Sequence, residues 1–66
     1  MKEYTNSQIS HLIDEHIHSQ RDRELLKSRY IDGLTYEQIS EKHDLSVSQT
    51  KTIIYKQSPR IFKHLL

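Results

Sequence analysis

The chain has 66 residues, 33 % hydrophobic and 29 % charged, with one Gly, one Pro, no Ala and no Cys. A chain this short makes a single domain that buries only about 60 % of its unfolded surface, and without Cys it has neither a disulfide framework nor a thiolate metal site. The net charge of +1 hides an asymmetry: residues 1–45 carry six Lys or Arg against nine Asp or Glu, whereas residues 46–66 carry Lys51, Lys56, Arg60 and Lys63 and no carboxylate.

The predicted elements are all helical. Ile9, Leu12, Ile13, His16 and Ile17 recur at the spacing of one helix face, so a first helix is expected over 7–18, capped by Thr5, Asn6 or Ser7. Ser19 caps a second helix over 20–32, with Asp22 in its first turn and Leu25, Leu26, Arg29 and Tyr30 along one stripe. Gly33 stops it, because Gly enters the left-handed region without penalty. Thr35-Tyr36-Glu37-Gln38 is a capping box opening a short helix over 36–43. Ser46-Val47-Ser48-Gln49 is a second capping box, and the helix it opens carries Val47, Thr50, Ile53 and Ile54 inward. Pro59 is expected to end or kink that helix near residue 57, leaving a separate apolar helix over 60–66. No segment alternates as a strand does. The expected fold is therefore one all-α domain over 1–66, of four to five short helices.

Two short capped helices joined by about three residues are a helix-turn-helix. With Ile39, Leu45, Val47 or Thr50, and Ile53 or Ile54 turned inward, the second of these helices shows Ser48, Gln49, Lys51, Thr52, Tyr55 and Lys56 outward. These side chains bear hydrogen-bonding groups and no carboxylate, which suits base edges in the major groove. Together with Ser46 they form the expected DNA-reading set. Thr35 and Tyr36, at the start of a helix, and Arg60 and Lys63, beyond Pro59, are the expected phosphate contacts. The predicted core is Leu26, Tyr30, Leu34, Ile39, Leu45 and Ile53 or Ile54, covered by Leu12, Ile13 and Ile17.

The run Arg23-Glu24-Leu25-Leu26-Lys27-Ser28-Arg29-Tyr30-Ile31-Asp32-Gly33-Leu34-Thr35-Tyr36-Glu37-Gln38-Ile39-Ser40-Glu41 resembles the C-terminal, promoter-recognising region (region 4) of bacterial sigma factors. The register continues through Leu45-Ser46-Val47-Ser48 to Lys51, so the likeness spans about 21–56. It departs from the family pattern at Ser28, Ser40, His43, Asp44 and Thr50, and Pro59 interrupts what is normally a continuous basic helix. The resemblance implies a free-standing, sequence-specific DNA-binding regulator of the kind found in phages and mobile elements. Its recognition helix would be at about 46–57.

Catalysis is not expected, since no nucleophile stands with a base and an orienting group, and no glycine-rich loop could cradle phosphate. His11, Glu15 and His18 share one face at helical spacing but read as solvated residues, so no metal and no cofactor are expected. The N-terminus lacks an apolar leader and no apolar run exceeds the three residues Ile53-Ile54-Tyr55, which places the expected protein in the cytoplasm, away from any membrane. The expected partners are double-stranded DNA and a second copy of the chain, through Ile61, Phe62, Leu65 and Leu66. Two other readings use the same residues: a protein-interaction module for RNA polymerase or a sigma or anti-sigma partner, and a phage DNA-packaging or replication component.

Overall fold

The computed structural model describes residues 4–64. They contain four helices: α1 Asn6–His16, α2 Gln20–Tyr30, α3 Tyr36–His43 and α4 Val47–Phe62. Each begins where a side chain accepts an orphan backbone N–H. Thr5, Thr35 and Ser46 form complete capping boxes with Gln8, Gln38 and Gln49, and Ser19 accepts from Asp22. Of the three cap candidates for α1, Thr5 is the one used.

The helix ends have equally local causes. Ile17 is already extended, at φ −108° and ψ 120°, so α1 stops at His16 and not at 18. The Arg23 guanidinium donates to the carbonyls of Ile17 and Asp14, taking up the freed acceptors of that end. Gly33 closes α2 at φ 73°, and the Leu34 N–H returns to the Ser28 carbonyl at 3.0 Å. Asp44 does the same after α3 at φ 55°, and the Leu45 N–H reaches the Ser40 carbonyl at 2.9 Å.

The chain after residue 57 departs from expectation. Pro59 lies inside α4, which runs unbroken for 16 residues to Phe62, with no separate C-terminal helix among the described residues. Pro59 cannot donate to the Tyr55 carbonyl one turn earlier. Its neighbours hold the turn in place. Ser58 is buried, donates to the Ile54 carbonyl at 2.6 Å and shares a 2.7 Å hydrogen bond with the Tyr30 hydroxyl. Ile61, three residues on, is 1 % exposed. The Pro ring itself faces solvent. Pro59→Ala restores a helical N–H where the local geometry already suits Ala. It should stabilise the fold by about 2 kcal/mol, the interior cost of Pro less its entropic benefit in the unfolded chain. Urea melts of the two proteins measure this directly.

The core consists of Ile13, Ile17, Leu25, Leu26, Ile39, Ile54 and Ile61. Tyr30, Leu34, Leu45 and Ile53, all predicted for the core, pack against it half-buried, as do Ile9 and Leu12. Ile61 corrects the sequence expectation: it belongs to the core and is not free to form an interface. The continued helix carries it back under α1 and α2, where a Pro break would have turned it away. Phe62 packs edge-on against Tyr30, with ring centroids 5.0 Å apart, and is 38 % exposed. Leu65 and Leu66 lie outside the described residues.

Polar contacts set how α4 sits on the other helices. Gln57 Nε2 donates to the buried Asp22 carboxylate at 2.7 Å, and the Tyr30–Ser58 bond makes a second clip between α2 and α4. Thr50, fully buried, donates its hydroxyl to the Ser46 carbonyl at 2.9 Å, so its buried polar atom is satisfied. His43, one of the departures from the resembled pattern, is satisfied less neatly. Its ring is half-buried and Nε2 has no hydrogen-bond partner. Lys27 meets Asp14 at 2.7 Å, joining α1 to α2 and holding the Asp14 carboxyl below its ordinary value of 3.8.

Candidate nucleic-acid interface

The α3–α4 pair is built by Asp44-Leu45-Ser46. Asp44 reverses the chain in the left-handed region, Leu45 packs inward and Ser46 caps α4. Thr50, Ile54, Ser58 and Ile61 then bury one face of α4. The opposite face shows Ser48, Gln49, Lys51, Thr52, Tyr55 and Lys56, all exposed, and Tyr55 is 60 % exposed although it is aromatic. Among the described residues no ion pair involves a cation of α4; the three pairs present join His11 to Glu15, Arg21 to Asp22 and Lys27 to Asp14. The positive potential of that face is therefore not neutralised from within.

The members of the predicted reading set are not equivalent. Ser46 and Gln49 face each other in the capping box: the Ser46 hydroxyl accepts the Gln49 N–H at 3.0 Å, and Gln49 Oε1 accepts the Ser46 N–H at 3.0 Å. A bidentate contact to adenine needs both ends of the Gln carboxamide. Gln49 Oε1 is turned toward the Ser46 N–H, so bidentate adenine recognition by Gln49 competes with the cap for its carboxamide. The Thr52 hydroxyl donates to the Ser48 carbonyl at 2.9 Å, which leaves its oxygen as an acceptor. Neither Lys51 nor Lys56 is tied into the α4 cap or backbone in this way, and Lys51 Nζ stands instead over the Tyr36 ring.

Tyr36 is the centre of a cation–aromatic cluster. The Arg29 guanidinium lies 4.4 Å from its ring centroid, Lys51 Nζ lies 5.7 Å from it, and the Tyr55 ring meets it edge-on at 5.9 Å. Arg29 is fixed in turn by donating to the Leu34 carbonyl at 3.0 Å. The Tyr36 hydroxyl raises the Tyr55 phenol above its ordinary value of 10.0. Thr35, beside Tyr36, is exposed, but its hydroxyl accepts the Gln38 N–H at 3.1 Å. The structure thus gathers Tyr36, Lys51 and Tyr55 at one edge of α4 and adds Arg29.

Arg21 adds a cation on the other side. It borders a groove with Leu45, Ser48, Gln49, Thr52 and Ile53, and its side chain is 57 % exposed. Neither arginine stands out in the sequence as part of this face, because both lie in the half of the chain where acids outnumber bases. Helical spacing relates residues within one helix and says nothing of how α2 approaches α4. The only sequence signal for Arg29 is its place beside Tyr30 in the family-like run. Arg60 and Lys63 are exposed, but they sit on the last turn of α4 and its cap, apart from the cluster at its first turns.

Among the described residues no group of three His, Asp or Glu could hold a metal ion. His11 and Glu15 meet at 3.4 Å across one turn of α1, whereas His18 lies past the helix end. Among the described residues no helix is long and apolar enough to cross a membrane.

A family model for sigma-70, region 4 matches residues 19–56, more than half of the chain. The match runs from the cap of α2 into the middle of α4, and leaves α1 and the last turns of α4 outside it. Comparisons with curated proteins and with solved structures return no match.

Proposed function

The chain belongs to the sigma-70 region 4 family, a family of DNA-binding helix-turn-helix domains without enzymatic activity, and from that premise we propose that it is a sequence-specific transcriptional regulator acting in the cytoplasm. The observation that carries this reading is the outward face of α4, which bears Lys51, Lys56, Thr52 and Tyr55 and no carboxylate. Lys51 reads a base edge from the first turns of α4, with Ser48 and Thr52 beside it. Arg21 on one flank, and Arg29 with Tyr36 on the other, meet the two backbones that border the groove. Ser46 and Gln49 act mainly through the cap that orients this turn.

One helix-turn-helix covers few base pairs, so we extend the reading to two copies on half-sites about one helical turn apart. Ile61 is not available for that contact, and Phe62 is the apolar side chain of the α4 end that remains exposed.

The test is binding to double-stranded DNA across a salt series, with sedimentation of the complex. About five phosphate contacts give a log–log slope near −4 to −5. A flat slope, or no binding at about 50 mM salt, overturns the reading, and one copy of the chain per preferred site overturns the two-copy extension.

A further inference from the structure

We propose that His16, Arg60, Lys63 and His64 form a second phosphate-binding site, which holds the DNA backbone beyond the groove entered by the first turns of α4. This rests on the DNA-binding reading above and extends its footprint. The four side chains line a single surface pocket, and no other described residue lines it. All four are cations or can become cations, and no ion pair with a carboxylate neutralises Arg60 or Lys63 among the described residues. The His16 and His64 rings stack face to face, with centroids 3.9 Å apart and planes 6° from parallel. Together, the Arg fork, the Lys ammonium and the outer ring nitrogens give a tetrahedral oxyanion several donors on one side.

The continuity of α4 through Pro59 puts this pocket in reach of a bound duplex. Lys56 and Lys63 are seven residues apart, so they share the helix face that begins at Ser48 and Thr52. At 1.5 Å per residue, Lys63 lies roughly 18 Å along the axis from Lys51. The major groove is only about 12 Å wide. With Lys51 inside it, the Arg60–Lys63 end stands over the flanking backbone.

The competing account is that these cations only complement the negative ends of α1 and α4, where each contributes about 0.3–1 kcal/mol. That account explains cations at helix ends. It does not explain why the His16 ring of α1 and the His64 ring just past the end of α4 stack beside Arg60 and Lys63, an arrangement that offers an anion donors from two segments of the chain.

The experiment uses the full chain and two duplexes that share the preferred site selected from a random pool. One duplex ends at the outermost base pairs of the preferred site, and the other is extended by about ten base pairs on each side. Arg60→Gln/Lys63→Gln/His64→Gln alters exposed side chains only. On the extended duplex the variant should bind about ten-fold more weakly, with a salt slope shallower by about two. On the short duplex it should match the wild type. Wild-type affinity on the extended duplex, or equal loss on both, overturns the site. A lowered melting temperature with unchanged affinity for the extended duplex assigns the cluster to the helix dipoles and also overturns it. A wild-type chain that binds neither duplex overturns the DNA-binding reading itself, and this site with it.

Discussion

Ile61→Ala should destabilise the fold by about 2–5 kcal/mol, the range for truncating a buried Ile where the surroundings relax only in part. Ile61 is 1 % exposed and sits in one cluster with Ile13, Ile17, Leu25, Leu26, Ile39 and Ile54. A domain of this size has a total stability of about 3–10 kcal/mol, so the variant loses a large part of it. Phe62→Ala, one residue on, should cost clearly less, because that ring is 38 % exposed and rests mainly on the edge of Tyr30. Urea melts at two protein concentrations measure both effects. A core residue gives a loss independent of concentration. A loss that appears only at high concentration would return Ile61 to an interface between copies and contradict the packing of α4.

The second large effect is expected on DNA. Lys51→Ala should weaken binding to the preferred site by about five- to a hundred-fold, corresponding to about 1–3 kcal/mol for a specific base contact. Binding to unrelated sequence should fall much less, since Lys56, Arg60 and Lys63 still supply phosphate contacts. Gln49→Ala should have the smaller effect on specificity, because Gln49 Oε1 is held by the Ser46 N–H at 3.0 Å. Its cost should appear in stability, as a weakened cap of about 1 kcal/mol. Fluorescence anisotropy on preferred and scrambled duplexes, at one fixed salt concentration, separates these outcomes. If Lys51→Ala weakens both duplexes equally, Lys51 contacts phosphate, and base reading passes to Thr52 and Tyr55.

Much of the fold is legible in the sequence because its signals are short-range. Ser19, Thr35 and Ser46 cap the helices they were expected to cap, since a cap needs only a side-chain oxygen and a backbone N–H two or three residues on. The bounds of α3 follow from Thr35 on one side and Asp44 on the other. The inward set of α4 follows from helical spacing, which is why Thr50 and Ile54 are buried. The same spacing turns Ser48, Gln49, Lys51, Thr52, Tyr55 and Lys56 outward.

What only the tertiary structure decided is how separate helices meet. Pro59 reads as a break by local rules, because it lacks a donor and crowds the preceding turn. The cost is borne here by Ser58 on Tyr30, 28 residues away, and by Ile61 in a core that draws on all four helices. The same continuation changes Ile61 from a surface residue to a core residue and carries Arg60 and Lys63 to the His16–His64 stack. Arg21 and Arg29 join the face of α4 from α2, and no spacing rule connects them to Lys51. Caps and periodicity act over one or two turns, so the chain states them residue by residue. The packing of α1 and α2 on α4 is set by the shape and burial of all the helices at once, and only the folded chain brings those groups together.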